Sequence, residues 1–450
     1  MQNRKLIHEL LYEQSCNHAK PKEKCDKPKP GATSGGCAYE GAQIALFPFA
    51  DAAHIVHAPA TCIGASWETR ATPTSYEGFN NTITGYCTNV TSNDIIFGGH
   101  EKVEKAIRYV LERQSPSAVF LYETCVTAMI GDDMDNICNR LSKKYGIPIV
   151  PVHAPGFVGS KNLGSKLAGL TVVEKLIGTK EPKTIHPFGI NLIGEYNVTG
   201  DMWKYSHLLQ KIGIKVVSTF SGDGRTNDIR TAHRAKLNVI VCAKSLEAMT
   251  KKMQEKFSIP YVSVSFYGRR ATTDAIMSIV NAFGDAKLLA KAKEVVREEE
   301  AKLEDALNEY KEIFKGKKAI LNTGGNKSWS VAMALQDIGL EVVATSVRKA
   351  TLDDVEEAKK HVKILMKVPA NEQAKLIDEH GVDILLAGGR SLYTAIKKRV
   401  AFIDVNQEKE VSYGAYSGLL NLAQDVANSL NNPVFKNVAK DAPWNSNHLA

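Results

Sequence analysis

Cys37, Cys62 and Cys125 are the residues of this chain best placed for chemistry, in GGCAYEGAQ, APATCIGAS and YETCVTAM. Each stands among small residues or threonine. Thiolates that hold an iron–sulfur cluster need such neighbours, because the inorganic core must approach the backbone and accept N–H hydrogen bonds. Zinc sites usually show close C-x₂₋₄-C pairs, whereas these three cysteines are far apart in sequence. Three thiolates leave a cubane cluster one ligand short. The simplest completion is a thiolate from a second chain, with the cluster at a subunit interface. The competing reading of any cysteine is core packing. That reading fits Cys138 in DDMDNICNRLSKKYG, where apolar residues recur at helical spacing. It is also the reading of Cys87 in ITGYCTNV, and of the isolated Cys16 and Cys25. His54 and His57, in the apolar run ALFPFADAAHIVH, read as structural.

Cys242 raises a separate question. It closes the run LNVIVC and has no cysteine nearby. No His/Asp arrangement in the sequence marks it as a nucleophile. As a lone thiolate on a pre-assembled cluster it makes sense only if other groups hold that cluster by charge. Arg70, Lys161, Lys244, Arg269, Arg270 and Lys327 are the candidate cations, most of them in turns after strands. The alternative for each is a solvated surface charge.

Elements must position these residues. Short apolar runs recur at 117–122, 147–152, 190–196, 214–220, 237–243, 259–266, 318–325, 340–347, 382–389 and 400–406, separated by amphipathic helical stretches. Strands alternating with helices specify an α/β protein with parallel sheets flanked by helices. LLQKIGIKVVST (208–219) and ALQDIGLEVVAT (334–345) echo one another, so two Rossmann-like units of one kind are expected in succession. A long charged helix, about 285–315, joins them. The expected division is a tail at 1–34 and three Rossmann-like segments at 35–186, 187–316 and 317–450. Ligands of open α/β sheets gather at the carboxyl ends of strands. Cys125, Cys242, the Gly324–Gly325–Lys327 turn and Asn406 all follow strands, and Cys37 and Cys62 are expected in turns.

The bulk composition limits the alternatives. The chain has 450 residues, 44% hydrophobic and 24% charged, which is globular and able to bury a large core. No apolar run approaches the roughly 20 residues that span a bilayer. The N-terminal MQNRKLIHELLYEQ reads as a short amphipathic helix without a signal-peptide pattern, so a cytoplasmic protein is expected. The net charge of +8 comes from scattered Lys and Arg, which gives nucleic-acid binding little support and suits a small anionic ligand. Eight cysteines are too sparse for a secreted disulfide framework.

GGCAYEGAQIALFPFADAAHIVHAPATCIGASW, YETCVTAMIGDDMD, PGFVGSKNLGSKLAG, INLIGEYNVTGD and NVIVCAKS together resemble the nitrogenase component 1 family, in its α-type, cofactor-assembly branch. The similarity runs from about residue 30 to the end. It implies three Rossmann-like domains with a cofactor site between them. It further implies a [4Fe–4S] cluster on Cys37, Cys62 and Cys125, completed by a NifN-type β subunit in an α₂β₂ heterotetramer. Cys242 would anchor an all-iron, 8Fe-type precursor of the iron–molybdenum cofactor. Arg70, Lys161, Lys244, Lys327 and Asn406 would line its pocket, where molybdenum and homocitrate are inserted. The implied partners are the nitrogenase iron protein, a NifB-type cluster donor and the catalytic nitrogenase as acceptor. A scaffold of this kind turns over no soluble substrate beyond slow reductions.

The catalytic α subunit, a paralogue of similar fold, is the alternative. It carries a histidine in its last domain where this chain has Asn406. It carries another after a Leu-Gly pair, where SKNLGSK has Ser165. A vanadium-system scaffold would share all these features, so the metal handled stays open, and Cys87 has no assigned role.

Overall fold

The computed structural model describes residues 36–67, 73–75, 84–241, 243–348, 350–367, 369–406 and 408–438. Its strands form three sheets. The first contains β1 (Ala52–His57), β2 (Gly85–Cys87), β3 (Ala118–Glu123) and β4 (Ile149–Val152) in the order β2-β1-β3-β4. The second contains β5 (Gly189–Glu195), β6 (Lys215–Ser221), β7 (Leu237–Ile240) and β8 (Tyr261–Ser263) in the order β6-β5-β7-β8. The third has β9 (Lys318–Asn322), β10 (Glu341–Ser346), β11 (Ile364–Met366), β12 (Ile384–Ala387) and β13 (Ala401–Asp404), ordered β11-β10-β9-β12-β13.

The same arrangement recurs in each sheet. The first strand sits inside and the second lies on one side of it; later strands continue on the other side, except that β11 of the third sheet lies beyond β10. The ladders on either side of each first strand are parallel. Each sheet therefore has a switch point where strand order reverses, at β1/β3, β5/β7 and β9/β12. Crevices for ligands open at the carboxyl ends of strands at such points.

The chain groups into two compact units. One takes the chain up to Val198 together with Ile214–Val262, and holds the first two sheets. The other takes Thr199–Gly213 and the chain from Ser263, and holds the third. The long charged helix runs Ala286–Leu307 in the second unit, capped by the Asp285 carboxylate, which accepts the Leu288 N–H at 2.7 Å.

In the first sheet, alternation along the strands splits the core in two. Phe120 and Tyr122 of β3 face one apolar cluster, and Val119 and Leu121 face the other. The helices Ala38–Leu46 and Lys161–Lys175 pack on the first of these faces. A Cβ on Gly41 would come within 1.9 Å of the Lys161 carbonyl oxygen, and one on Gly164 within 1.8 Å of that of Ala38. Only glycine permits this approach. Ser165 lies in the same contact and donates to the Gly41 carbonyl at 3.0 Å. His54 is fully buried between the Phe120 and Tyr122 rings, with Nδ1 2.8 Å from the Tyr122 hydroxyl. Burial pushes its pKa down to about 4.

All ten expected strand regions contain a strand. β1, β2 and β11 were not expected as strands. β2 and β11 have three residues each, too few to reveal a period. β1 is buried on both faces, so its sequence lacks alternation. Cys62, expected in a turn, lies inside the helix Ala60–Trp67, where Pro59 and a run of small residues favour helix initiation. The tail at 1–34 lies outside the described residues. No helix among the described residues is long and apolar enough to cross a membrane.

Candidate functional site

The switch point of the first sheet carries cysteines. Cys125 is the first residue of the helix Cys125–Ile130 after β3, and Cys62 sits in the helix after β1. Cys37 precedes the helix Ala38–Leu46 and bridges antiparallel to Ser160, in the loop after β4. Gly156, in that same loop, is the meeting point. A Cβ on Gly156 would stand 3.0 Å from the Cys125 Sγ and 3.1 Å from the Cys37 Sγ. The two sulfurs are therefore no further apart than the sum of those distances. Cys62 is close enough to feel both. Burial pushes its thiol pKa up, and the sulfurs of Cys125, Cys37 and Cys87 push it further.

Buried hydrogen bonds fix these positions. The Thr124 and Thr127 hydroxyls both donate to the carbonyl of His57, the last residue of β1, at 3.0 Å. They tie the start of the Cys125 helix to the neighbouring strand. The His57 ring spans Thr88 Oγ1 and Asp132 Oδ2, each at 2.9 Å. Asp132 also accepts the Gly99 N–H at 3.0 Å, so its carboxylate acts as acceptor for Nε2–H and leaves Nδ1 to accept from the Thr88 hydroxyl. Burial lowers the His57 pKa and outweighs the opposing pull of Asp132, which favours a neutral ring. His57 thus braces the site and supplies no charge to it.

Chemically, the three thiols can act as soft ligands around a shared glycine face. Among the described residues, no three His, Cys, Asp or Glu side chains gather closely enough to hold a single metal ion. A polynuclear iron–sulfur group needs its thiolates spread around a bulky core, and backbone without a side chain beside the sulfurs. The bare Gly156 surface between Cys37 and Cys125 fits that need.

The third sheet carries polar groups at its own switch point. Lys327 opens the helix Lys327–Asp337 after β9. Its Nζ donates to the Val405 carbonyl at 3.1 Å and lies 5.0 Å from the centroid of the Tyr267 ring. Asn406 follows β13, and its side-chain nitrogen lies against Gly388, after β12, where a Cβ would be 2.9 Å away. Lys327 and the 405–406 loop are thus brought together. Arg390 follows β12 in the same loop group. The sequence reading omitted it, although GGRS after the run VDILLA was a usable signal.

Other sites differ from expectation. Lys161 forms an ion pair with Glu40 beside Cys37. Arg269 and Arg270, weighed as anion binders, pair instead with Glu304 at 3.1 Å and Asp337 at 2.7 Å. Both sit at the start of the helix Arg269–Phe283 with carboxylates in reach, so they join elements of the second unit. Cys138 is fully buried as expected, and burial raises its thiol pKa to about 12. Arg70, Cys242 and the side chain of Lys244 lie outside the described residues. The N–H of Val241, just before Cys242, bonds the Ile193 carbonyl at 2.8 Å and extends the β5–β7 ladder.

Beside the cysteines lies an exposed apolar patch. Ile96 and Phe97 are 72% and 80% exposed at the end of the helix Ser92–Phe97. That helix packs against the one beginning at Cys125, whose Met129 is 79% exposed.

Comparison with known proteins bears on what this arrangement serves. The sequence profile of the family described as nitrogenase component 1 type oxidoreductase matches residues 37–431. The chain is 44% identical over 449 residues to the nitrogenase iron-molybdenum cofactor biosynthesis protein NifE of Nostoc sp. (strain PCC 7120), covering 97% of this chain and 93% of that protein. It is 40% identical over 458 residues to the protein of the same name from Klebsiella pneumoniae, covering 97% and 98%. Among solved structures, nitrogenase Cp1 at pH 5 superposes with a TM-score of 0.83 at 26% identity, covering 98% of this chain and 97% of that one.

Proposed function

The chain belongs to the nitrogenase component 1 type oxidoreductase family, and within it we propose that this chain is the α-type subunit of a scaffold on which the nitrogenase iron–molybdenum cofactor matures. The observation that carries the reading is the pair of thiols, Cys37 and Cys125, set against the bare backbone of Gly156 at the first sheet's switch point. The relatives named for cofactor biosynthesis support it at full length.

In this reading Cys37, Cys62 and Cys125 hold a [4Fe–4S] cluster with one thiolate from a NifN-type β subunit. Bound there, the cluster supplies one-electron transfer. The exposed patch of Ile96, Phe97 and Met129 supports a protein partner at this edge, since apolar side chains so exposed and so close together mark interaction surfaces. The substrate is an all-iron precursor, anchored by Cys242, with Arg70, Lys161, Lys244, Lys327 and Asn406 as the residues that attract and hold it. It arrives from a NifB-type donor. It receives molybdenum and homocitrate with help from the nitrogenase iron protein, and leaves for the catalytic nitrogenase.

The reading keeps three Rossmann-like segments, 35–186, 187–316 and 317–450, supported by one parallel sheet in each. A cytoplasmic location follows from the pathway. Two residues favour transfer over turnover. Asn406 offers an amide where a catalytic subunit has a metal-binding imidazole. Ser165 is buried and spends its hydroxyl on the Gly41 carbonyl. Weaker ligands release a finished cofactor more readily.

Cys242→Ala in the complex tests the assignment. Precursor iron is expected to be lost while the [4Fe–4S] signal persists. Equal loss from both sites contradicts separate roles. Robust dinitrogen reduction by the wild-type complex with its iron protein would instead identify a catalytic subunit.

A further inference from the structure

Four thiols, not three, stand at the carboxyl end of the first sheet. The strand order β2-β1-β3-β4 gives each strand end one of them. Cys87 is itself the last residue of β2, Cys62 follows β1, Cys125 follows β3, and Cys37 is bridged to the loop after β4. Cys87 pairs in register with Val56, next to the end of β1. The Cys62 helix packs against β2, and Cys37, Cys62 and Cys87 all pack on the same apolar core.

Cys87 does not behave as core filler. Its sulfur is half-buried, whereas Cys138 is fully enclosed. It already accepts a backbone N–H, from Asn89 at 3.3 Å, the kind of donor that stabilises an iron-bound thiolate. Lys102 holds that turn by donating to the Asn89 carbonyl at 2.7 Å. The thiol's own proton points to the Ala58 carbonyl at 3.2 Å, a weak contact that is easily given up.

We propose that Cys87 is a fourth ligand supplied by this chain itself, completing the iron–sulfur site while the chain is without its partner. The inference rests on the cluster-binding role proposed above for Cys37, Cys62 and Cys125. In the unpartnered chain, the Cys87 thiol releases its proton to solvent as its sulfur binds iron. When the partner arrives, its thiolate replaces Cys87 on that iron. Cys87 then takes up a proton and returns to the Ala58 carbonyl. No electron changes hands. The chain can thus be loaded before it is paired.

The test compares wild type, Cys87→Ser and Cys87→Ala, each as the full chain alone and as the complex with its β-type partner, prepared anaerobically. Iron and acid-labile sulfide per chain, Mössbauer spectra and the EPR signal of the reduced protein are the readouts. Wild type alone should hold about four irons per chain as a cubane. Both variants alone should lose the cubane signal, with iron reduced by at least about a quarter. In the complex the variants should match wild type, which also shows that they fold. Equal iron and spectra for wild type and variants alone would overturn the inference. So would an iron-free wild-type chain whose complex is loaded. An iron-free wild-type complex would instead overturn the underlying cluster reading, and this inference with it.

Discussion

A methyl group on Gly156 would press on two sulfurs at once, at 3.0 and 3.1 Å. Gly156→Ala is therefore expected to cut cluster iron in the complex by half or more, while far-ultraviolet circular dichroism stays that of wild type. Unchanged iron would place the cluster elsewhere. His54 gives a pH prediction of a different kind. Its pKa is about 4 in the folded chain, depressed by burial from an ordinary value of 6.5. Between those values the unfolded chain binds a proton that the folded chain does not, so stability falls as pH falls from 6.5 towards 4. The loss from this one ring is roughly 3 kcal/mol over the whole range, of which about 2 kcal/mol falls between pH 7 and pH 5. Denaturant unfolding at pH 7 and pH 5 should show it, and His54→Gln should flatten the slope even if it lowers stability overall. A slope that survives the substitution would assign the effect to other groups.

Among elements, the pair of helices Ala38–Leu46 and Lys161–Lys175 matters most, because it sets Cys37 against the loop after β4. Gly164→Ala places a Cβ 1.8 Å from the Ala38 carbonyl oxygen, with backbone on both sides and no side chain to yield. A cost of about 3 kcal/mol or more is expected in chemical denaturation, at the upper end for overpacking. The helices themselves were readable in sequence, and so were most strands, since AVFLY and ILLA are apolar throughout, as suits doubly covered strands. The contact between the helices was not readable. Gly41 and Gly164 are 123 positions apart, and nothing local says that they meet. The same holds for Gly156, whose role depends on a loop folding back onto Cys37. Cys62 and Cys125 stood out in the sequence through their small neighbours. The place of Cys87 at the same sheet end did not stand out, because a three-residue edge strand leaves no pattern to read.

For the whole molecule, a switch point beside the first strand appears in all three sheets, and the residues at each one differ. Thiols occupy the first. β7, at the second, leads into Cys242. Lys327 and Arg390 flank the third. The switch point thus recurs while the side chains at it vary, as expected where function lies in loops rather than in the fold. Partnering also belongs to this scale. Phe97→Lys in the exposed patch should change the stability of the chain by less than about 0.5 kcal/mol. It should weaken association with the β-type partner by about tenfold or more, read by analytical ultracentrifugation. Unchanged association would assign the patch to another partner.

The bridge between Cys37 and Ser160 also sets an order in time. The four thiols at the strand ends of the first sheet have been synthesised once residue 125 is made, but the wall that spaces two of them arrives with Gly156. A nascent chain or truncated fragment ending between those points would carry a full set of ligands and no gauge for their separation. Iron captured at that stage would be held without the spacing of the finished site, so correct loading belongs after the fourth strand and its loop have been synthesised.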